Sequence, residues 1–557
     1  MAKHPTGPLV LGPMLRHVDT TTASIWVETR EAGTVAVRAD GNEWAARTFG
    51  VHGHHYALVE AHGLEPGTER PYEVLVDGAK AWPDDDGFPP PVIATLEPGR
   101  PLRLTFGSCR TSVPHDKRGN RTHGVDAMRA YALSLARAEA GTRPDLALLL
   151  GDQVYADSTS AEMRDFIRAR RDIRKAPGPE LKDYEEYAHL YQLAWSDPAN
   201  RWLFSTIPTA MIFDDHDIRD DWNASLSWKQ AMAKTSWWHG RIVSGLASYW
   251  VYQHLGNLSP AERARDEVWR AIVAHDGPDE VDVGAVLDAF AERVDGQPAS
   301  YRWSFCRDFG DIRLVMVDSR ASRELEPGAR SLLDAQEMDW LDGKLRGGFR
   351  HLLIGTSLPF LLPPGLHHLE AWDEAVSNGA WGRAAAWVGE RLRRAVDLEH
   401  WAAFQNSFQE VASMVTDVAD GRRGTAPESV VFLSGDVHFS YVAEVERSTG
   451  SRILQAVCSP VRNPLPRVLR YFTAAMAYGP ATLVGLLMAQ SAKVPDPPFA
   501  WSGIEGPWFD NNLATLESTP RGLRLRWVTG VVDDGEDDPR LDLVAGVVLG
   551  PRGGDGA

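Results

Sequence analysis

The sequence is poor in cysteine, with only Cys109, Cys306 and Cys458 among 557 residues. Three cysteines at such wide spacing exclude a disulfide framework as the basis of the fold. The N-terminus carries no apolar segment of signal length, which predicts a cytoplasmic protein. The one membrane-like stretch, residues 471–489, is interrupted by a Gly-Pro pair at 479–480. Each half is too short to cross a bilayer, so the sequence predicts no transmembrane segment and a buried or groove-covering helix pair there.

Positive charge is also in deficit, because 58 lysines and arginines stand against 76 acidic residues, a formal net charge of -18. A protein that tracks nucleic acid or coats an anionic membrane needs a positive surface, so these two classes are disfavoured. An anionic small substrate is still allowed, because bound metal ions can reverse the sign of one pocket. The sequence contains no P-loop, no G-x-G-x-x-G after a strand, no H-E-x-x-H and no G-x-S-x-G, which excludes the enzyme classes that these motifs serve.

Two regions with different strand patterns are present. The first region alternates apolar and polar residues in short runs, such as residues 23–28 and 33–38, with turn signals between the runs. This spacing is typical of a small all-β sandwich. In the second region strands alternate with helical stretches, which predicts an α/β domain with a largely buried sheet. Because 557 residues exceed one ordinary core, we predict two domains, residues 1–98 and 99–557.

Chemically active side chains follow the predicted strands of the second region. The strands at 102–106, 146–150, 209–213, 312–317, 351–354 and 430–433 run into Cys109-Arg110, Asp152-Gln-Val-Tyr155, Asp214-Asp215-His216-Asp217, Asp318-Ser-Arg320, Gly355-Thr-Ser and Asp436-Val-His438. In an open α/β sheet, ligands bind beyond the carboxyl ends of the strands, so these loops are expected to converge. A single aspartate after a glycine is commonly a helix cap. Several such ends that together offer thiolate, phenolate, carboxylate and imidazole groups predict a metal site instead.

The donor types indicate which metals would suit the site. The thiolate of Cys109 and the phenolate of Tyr155 are strongly electron-donating and suit a trivalent transition metal, first of all iron. Asp215 and Asp436 are hard oxygen donors that suit a divalent ion such as calcium, manganese or magnesium. Asp152 is placed to bridge the two ions. The alternative for Cys109 and Tyr155 is a neutral buried thiol and a neutral buried tyrosine.

Four motifs taken together resemble those of the alkaline phosphatase D (PhoD-like) family of calcineurin-like metallophosphoesterases. They are Gly107-Ser-Cys-Arg, Gly151-Asp-Gln-Val-Tyr, Asp214-Asp-His-Asp and Leu433-Ser-Gly-Asp-Val-His-Phe-Ser, and they agree with the family in order and spacing. The resemblance implies an α/β protein with the calcineurin-like metallophosphoesterase fold, in which two facing mixed sheets are flanked by helices. A small all-β sandwich would precede that fold.

The resemblance also implies an iron site beside a calcium site. By matching position, Fe³⁺ would be held by Cys109, Asp152, Tyr155 and His438, and the divalent ion by Asp152, Asp215 and Asp436. Ca²⁺ is the first expectation for the divalent ion, with Mn²⁺, Mg²⁺ and Zn²⁺ as alternatives. Asp220, in the same loop as Asp215, is a reserve ligand for this second ion.

The function implied is hydrolysis of phosphate monoesters or diesters by a metal-activated hydroxide, with a small molecule or a phosphodiester as substrate. His216 is the predicted catalytic histidine, which protonates or hydrogen-bonds the leaving group. The neighbouring Asp217 would keep the imidazolium form of His216 populated. Arg110 and Arg320, each at a strand end, are predicted to bind the non-bridging phosphate oxygens as guanidinium forks. The alternative for His216 is a purely structural histidine.

One position departs from the family, because Thr111 stands where an acidic residue is often found two places after the cysteine. The loss removes a ligand of the second metal, which Asp116, His115, His123 or water would have to replace. Thr111 also favours the alternative hypothesis, a non-catalytic metal- or phosphate-binding scaffold with a degenerate phosphatase domain. The retained ligands and His216 argue against a scaffold, since a non-catalytic descendant would be free to lose them.

Overall fold

The first ten strands lie before residue 95 in the computed structural model, which describes residues 7–84, 86–138, 141–395, 397–477, 480–533 and 538–550. They are β1 (Leu9–Val18), β2 (Thr22–Thr29), β3 (Thr34–Ala39), β4 (Asn42–Arg47), β5 (Phe49–Val51), β6 (His54–His62), β7 (Glu69–Pro71), β8 (Glu73–Val76), β9 (Ala79–Trp82) and β10 (Val92–Ala94). β4-β3-β8-β9 form one sheet, and β1, β2, β6 and β5 lie in another. Ile25 and Val27 of the second sheet pack in one buried cluster with Val35 and Val37 of the first. The predicted small all-β region is therefore confirmed.

Two larger mixed sheets follow. Further along the chain lie β11 (Arg103–Gly107), β12 (Leu146–Leu150), β13 (Thr209–Ile212), β14 (Val281–Asp282), β15 (Phe305–Phe309), β16 (Ile312–Val317), β17 (His351–Thr356), β18 (Ser429–Ser434), β19 (Ser440–Val445), β20 (Arg452–Val457), β21 (Trp501–Trp508), β22 (Leu513–Thr519), β23 (Gly522–Val531) and β24 (Arg540–Leu549). One sheet has the order β13-β12-β11-β22-β23-β24, and the other has the order β15-β16-β17-β18-β20-β19-β21. Each combines parallel and antiparallel neighbours, as in β11–β12 against β11–β22.

Helices cover the outer faces of these sheets. They are α1 (Lys117–His123), α2 (Ala127–Ala136), α3 (Ala161–Arg170), α4 (Tyr184–Trp195), α5 (Pro198–Thr206), α6 (Leu226–Ala233), α7 (Trp238–Tyr249), α8 (Pro260–Arg263), α9 (Glu267–Val273), α10 (Gly284–Gly296), α11 (Ala335–Lys344), α12 (Pro364–Ser377), α13 (Arg383–Ala395), α14 (Gln405–Ala419), α15 (Arg467–Ala477) and α16 (Pro480–Ser491). For example, α2 packs on β23 and β24, and α14 packs on β18 and β20.

The inner faces of the two large sheets pack on each other. Leu104 and Leu148 of the first sheet share one buried cluster with Leu314 and Leu353 of the second. A strand that is covered on both faces has apolar residues at every position. This explains why every residue of β12 is apolar and buried. The predicted fold of two facing mixed sheets flanked by helices is confirmed.

The N-terminal strands and the helical region share a hydrophobic core. Trp26 and Tyr56 lie in the same buried cluster as Tyr191 and Tyr252, and the ring centroids of Trp26 and Tyr252 are 5.4 Å apart. In addition, β14 pairs in parallel with β5, so the sheet that contains β1 has the full order β1-β2-β6-β5-β14. The predicted domain boundary between residues 98 and 99 stays a prediction.

Histidines around the β5–β6 turn pair with carboxylates of the helical region. The pairs are His52 with Asp288 at 2.9 Å, His55 with Glu280 at 2.7 Å and His54 with Glu185 at 2.9 Å. His54 is held from its other side as well, because its Nδ1 lies 2.9 Å from the Oε1 of the buried Glu28. His54 thereby connects the sheet that contains β1 and β6 to α4.

The pairing of His54 makes the stability of the fold depend on pH. Burial alone would lower the pKa of His54, but the carboxylates of Glu28 and Glu185 outweigh it and raise that pKa above its usual value. A histidine with a raised pKa in the folded protein stabilises fully below about pH 6.5, and this stabilisation is lost as the pH rises through the folded value. Burial raises the pKa of Glu28. This raised pKa also lowers the stability of the folded protein as the pH rises. We therefore expect the melting temperature to fall as the pH rises from about 6.5.

The variant His54→Gln should show a flatter pH dependence of the melting temperature. At pH 6 its free energy of unfolding should be lower by on the order of 1–2 kcal/mol, the scale of lost hydrogen bonds to charged groups. Thermal denaturation of both proteins over this pH range measures the effect. His62→Gln, at the exposed end of the same strand, is the matched control. An unchanged pH slope in His54→Gln would contradict the prediction.

The membrane-like stretch at residues 471–489 falls on α15 and α16, and Gly479 lies outside the described residues. α16 packs on α12, but Tyr471, Leu483 and Leu487 have more than half of their surface exposed. The pair is therefore not fully buried, and the alternative that it covers a groove stays a prediction. Among the described residues, none of the helices combines the length and the apolar character needed to cross a membrane.

Candidate metal centre

The loops after β11, β12, β13 and β18 meet at one edge of the two sheets. The strands β11, β12 and β13 are parallel neighbours, so their carboxyl ends lie side by side. The loop after β18 arrives from the facing sheet. It approaches so closely that a Cβ at Gly435 would lie 1.9 Å from the Oγ of Ser108. Only glycine therefore lets the two sheets bring their loops together here.

Two groups of candidate metal ligands share Asp152. The first group is Cys109, Asp152 and His438, the second is Asp152, Asp215 and Asp436, and in each group the ligand atoms lie within 4.8 Å of one another. The hydroxyl of Tyr155 lies 3.4 Å from the Oδ2 of Asp152. The six residues predicted as metal ligands are thus brought to one place. A third group joins the reserve ligand Asp220 to Asp215 and His216.

Four of the six predicted ligands have a left-handed backbone. Their φ angles are 58° at Cys109, 49° at Asp152, 66° at Asp436 and 57° at His438. Residues with a side chain rarely adopt this conformation, which costs about 1–3 kcal/mol each and collects at functional sites. Aspartate and histidine tolerate it better than cysteine does. The ligand side chains are therefore aimed by backbone geometry that the surrounding fold imposes.

The two oxygens of the Asp152 carboxylate have different surroundings. The thiol of Cys109 and the hydroxyl of Tyr155 each lie 3.4 Å from Oδ2. Oδ1 is buried and has no hydrogen-bond partner among the described residues. An unsatisfied buried carboxylate oxygen is costly, and a cation beside it would remove that cost. The donor set and this orphaned oxygen fit a bridging metal ligand.

Burial and mutual repulsion raise the pKa values of the groups around Asp152. The pKa of Asp152 lies well above its usual range, because burial and the carboxylate of Asp214 outweigh the opposing charge of His216. Burial, with Asp152 as a neighbour, also raises the pKa values of Cys109 and Tyr155. A cation in the centre acts in the opposite direction and favours the carboxylate, thiolate and phenolate forms.

His216 is held by an aspartate from another loop. Its Nδ1 lies 2.9 Å from the Oδ1 of Asp157, and its ring lies 4.6 Å from that of Tyr155. Burial alone would lower the pKa of His216, but Asp157 and Asp215 outweigh it and raise that pKa well above its usual value. The imidazolium form is therefore favoured. Because Nδ1 is engaged by Asp157, Nε2 is the nitrogen left for a ligand.

Asp217 has a different role from the predicted one beside His216. Its Oδ2 accepts hydrogen bonds from the backbone amides of Asp152 and Asp214, at 3.0 and 2.9 Å. The prediction that Asp217 supports the His216 imidazolium is therefore corrected, because its carboxylate ties the two loops together while Asp157 pairs with the imidazole. Asp217 is a positioning residue for the ligand loops.

A family model described as PhoD-like phosphatase matches residues 120–468, more than half of the chain. The chain belongs to the PhoD-like phosphatase family. The matched region includes the loops that carry Asp152, Asp215, His216 and His438. A second family model, described as a domain of unknown function (DUF7800), matches residues 6–93. Family membership confirms the resemblance and, at that level, the prediction of a metal-dependent phosphatase.

A solved structure shows the same fold at low sequence identity. The structure described as "Structure of PhoD" is 13% identical, with 99% of this chain and 92% of that chain covered and a TM-score of 0.58. A weaker likeness, with 8% identity, 81% and 90% coverage and a TM-score of 0.33, is to "GAP50 the anchor in the inner membrane complex of Plasmodium". A search of curated proteins gave no match.

In this PhoD-like phosphatase, Arg110 is buried in an ion pair. Its guanidinium lies 2.7 Å from the Oδ2 of Asp126, and its NH1 donates to the carbonyl of Ala194 at 2.6 Å. The prediction that Arg110 binds substrate is therefore corrected, because these partners occupy its fork inside the protein. Only the backbone of Arg110 belongs to the ligand loops, where its amide donates to the carbonyl of Asp152.

Arg320 lies at the centre but within a closed set of carboxylates. It pairs with Asp214 and Glu399, and its NH2 is 3.1 Å from Asp215 and 3.7 Å from Asp436. The side chain is fully buried. The predicted guanidinium fork for phosphate oxygens is therefore corrected, because the donors of Arg320 already serve these acids. Its fixed charge balances the acidic cluster and positions two predicted ligands.

Sequence reasoning missed three residues that complete the centre. The first is Asp157, which follows Tyr155 by two residues and pairs with His216. His400 lies 2.7 Å from Asp436 through its Nε2, and Glu370 lies 2.6 Å from the Nδ1 of His400. His400 follows no strand, so the strand-end pattern could not reveal it. The only signal was its place in a tryptophan-rich region near residues 381–401.

Thr111 has no acidic substitute in the loop that follows it. Its hydroxyl donates to the carbonyl of Arg462 at 2.9 Å. Asp116 caps α1, His115 faces Asp126 at 3.8 Å, and His123 contacts Thr122. None of these residues joins a metal-ligand group within the described part of the chain. Asp116, His115 and His123 therefore do not replace the ligand, and the expectation that water fills the place stays a prediction.

A cleft opens beside the ligand residues on the Tyr155 side. It encloses about 580 Å³, and its lining includes Thr111, Tyr155 and Asn463. The charged residues that line it are of both signs: Arg118, Arg164, Asp116, Glu162 and Asp165. This cleft is large enough to receive a small ester and leads to the ligands of the candidate centre.

Proposed function

We propose that this PhoD-like phosphatase is an active metal-dependent phosphoesterase that hydrolyses phosphate monoesters or diesters. The observation that carries the proposal is the carboxylate of Asp152. This one buried group belongs to both ligand groups, and one of its oxygens has no hydrogen-bond partner among the described residues. A carboxylate shared between two ligand groups is the arrangement expected of a two-metal hydrolytic site.

The donor sets support different ions in the two positions. Fe³⁺ would be held by Cys109, Asp152, Tyr155 and His438, and a divalent ion, Ca²⁺ as the first expectation, by Asp152, Asp215 and Asp436. Thiolate and phenolate donors support the assignment of the trivalent ion. Ions bound here supply positive charge for the phosphoryl oxygens and a hydroxide nucleophile at neutral pH. That charge lets an anionic ester approach a chain with a net charge of -18.

His216 would act on the leaving group. Asp157 holds its Nδ1 at 2.9 Å and favours the protonated ring, which leaves the Nε2 proton to be donated to the departing oxygen. Tyr155 packs against the imidazole at 4.6 Å and restricts its rotation. The cleft next to Tyr155 would hold the organic part of the ester during this transfer.

Hydrolysis of chromogenic phosphate esters by the metal-loaded protein tests the proposed function. We expect turnover of a monoester, a diester or both, which stops when a chelator removes the ions and returns when they are restored. The ratio of the two activities assigns the substrate class. A protein that holds both metals and hydrolyses neither ester would contradict the proposal.

The alternative of a non-catalytic scaffold gains nothing from the surroundings of Thr111. Its hydroxyl already donates to the backbone carbonyl of Arg462 at 2.9 Å. The pair of His216 and Asp157 supports proton transfer to a leaving group, because the aspartate favours the protonated ring. Metal binding without turnover is the result that would favour the scaffold.

The colour of the iron-loaded protein tests the ligand assignment of Tyr155. A phenolate or thiolate bound to Fe³⁺ absorbs visible light, whereas zinc, calcium and magnesium leave a protein colourless. Tyr155→Phe should shift or bleach the band and keep the fold, because it removes one hydroxyl. Cys109→Ser should alter the same band and weaken iron retention. Ferric iron at full occupancy without a visible band would rule out both ligands, so metal analysis must accompany the spectrum.

We further propose that the protein resides in the cytoplasm. A thiolate ligand such as Cys109 is preserved in a reducing compartment, and the three cysteines offer no disulfide framework. Fractionation of cells with an antibody to the protein should place it with cytoplasmic markers. Recovery of most of it in the external fraction would contradict this location.

A further inference from the structure

His400 reaches the second ligand group from outside the strand-end loops. It precedes a short helical turn, residues 401–403, between α13 and α14. Its Nε2 lies 2.7 Å from the Oδ2 of Asp436, and the side chain is almost fully buried. Trp401 behind it packs edge-on against Phe360, with ring centroids 5.3 Å apart, so the position of this loop is fixed by the core.

A buried carboxylate orients the imidazole of His400. The Oε1 of Glu370, from α12, lies 2.6 Å from the Nδ1 of His400, and Glu370 is 2% exposed. A carboxylate at Nδ1 keeps the proton on that nitrogen and turns Nε2 toward the centre. This carboxylate–histidine arrangement typically stands behind a metal-bound imidazole in proteins.

We infer that His400 is a ligand of the divalent ion through Nε2, next to Asp436, with Glu370 as its orienting carboxylate. This inference rests on the proposed two-metal function. The 2.7 Å between Nε2 and the Oδ2 of Asp436 is close to the roughly 3 Å that separates adjacent ligand atoms on one small cation. When the ion binds, the proton on Nε2 leaves to solvent and the nitrogen lone pair takes its place.

His400 would add a nitrogen donor to a group of three carboxylates, Asp152, Asp215 and Asp436. An imidazole adds a ligand without adding a negative charge. It thereby changes the type of ion, because a nitrogen donor suits Mn²⁺ or Zn²⁺ and does not suit Ca²⁺, which prefers oxygen ligands only.

The charge around the second group agrees with a neutral ligand. The three carboxylates of Asp214, Asp215 and Glu399 already outnumber the two guanidinium charges of Arg320 and Arg323. Another carboxylate in this buried place would add uncompensated negative charge, which is costly at low dielectric. A neutral imidazole fills the place without that cost. The centre thus favours a histidine on both local charge and geometry.

Manganese binding to the full-length, iron-loaded protein tests this inference without reference to activity. Pulsed electron paramagnetic resonance of the Mn²⁺-loaded protein should show coupling to an imidazole nitrogen, and calorimetry should show tighter binding of Mn²⁺ than of Ca²⁺. In His400→Ala the nitrogen coupling should disappear, and the Mn²⁺ affinity should fall about 10- to 100-fold or more. The Ca²⁺ affinity should change much less.

Two further variants separate ligation from folding. His400→Gln keeps the volume and a neutral polar group, so it should fold and still lose the nitrogen coupling. His368→Ala, two residues before Glu370 on α12, is the matched control and should keep both the coupling and the Mn²⁺ affinity. Nitrogen coupling that persists in His400→Gln, or equal Mn²⁺ affinity in both proteins, would overturn the inference.

Ester hydrolysis tests the proposed function separately from the nitrogen coupling, which tests the ligand. Coupling that is lost in His400→Gln, in a protein that hydrolyses neither ester, would support the ligand and contradict the phosphoesterase. Ester hydrolysis by a wild-type protein whose Mn²⁺ shows no imidazole nitrogen would contradict the ligand and leave the phosphoesterase standing. The two ideas therefore fail in different measurements.

Discussion

Asp152→Ala is expected to lose both metal ions and to reduce ester hydrolysis to background. The reason is that Asp152 belongs to both ligand groups, so its removal takes one donor from each ion at once. It also removes the buried acceptor beside Cys109 and Tyr155. Metal analysis by mass spectrometry, together with hydrolysis of a chromogenic ester, measures the two losses in one preparation.

Asp116→Ala is the matched control for the loss of a carboxylate near the centre. Asp116 caps α1, and its side chain belongs to no ligand group in the described residues. This variant should keep both ions and lose only about 1 kcal/mol of stability, the usual contribution of a helix cap. Two metal ions per chain in Asp152→Ala would show that Asp152 is not a bridging ligand.

His216→Ala should lower kcat by roughly a hundredfold or more, the scale of a positioned general acid, with metal content near that of the wild type. His216 donates no atom to the two groups that contain Asp152, so its removal leaves their donors in place. Steady-state kinetics and metal analysis of the same sample separate the two effects. Loss of the second ion together with kcat would make His216 a ligand instead of the acid.

Asp157→Asn provides a graded companion to His216→Ala. The amide can still bond to Nδ1 but carries no charge to favour the imidazolium. We expect a smaller loss of kcat, about tenfold, with KM and metal content little changed. A wild-type kcat in Asp157→Asn would show that the charge of Asp157 has no part in the mechanism.

The sequence reveals the ligand loops because their positions follow from sheet geometry. Parallel strands such as β11, β12 and β13 end at one edge, and residues placed just after them must meet. Cys109, Asp152, Asp215 and Asp436 are all of this kind. His400 could not be found in this way, since it sits between two helices and reaches the centre only through tertiary packing.

The two arginines show a different limit of sequence reasoning. A strand-end position places the backbone of Arg110 or Arg320 at the site but does not fix where its long side chain goes. Arg110 reaches Asp126 and Arg320 reaches Asp214, 16 and 106 residues away along the chain. A buried guanidinium must find carboxylate partners, and these partners are visible only once the chain is folded.

The N-terminal strands and the helical region share one hydrophobic core, so removal of the strands would expose part of it. Without the N-terminal strands, Tyr191 and Tyr252 would lose the cover of Trp26 and Tyr56, and β14 would lose the edge with which it pairs. A gene that kept only the metal-binding region would therefore encode a chain with a bare aromatic face.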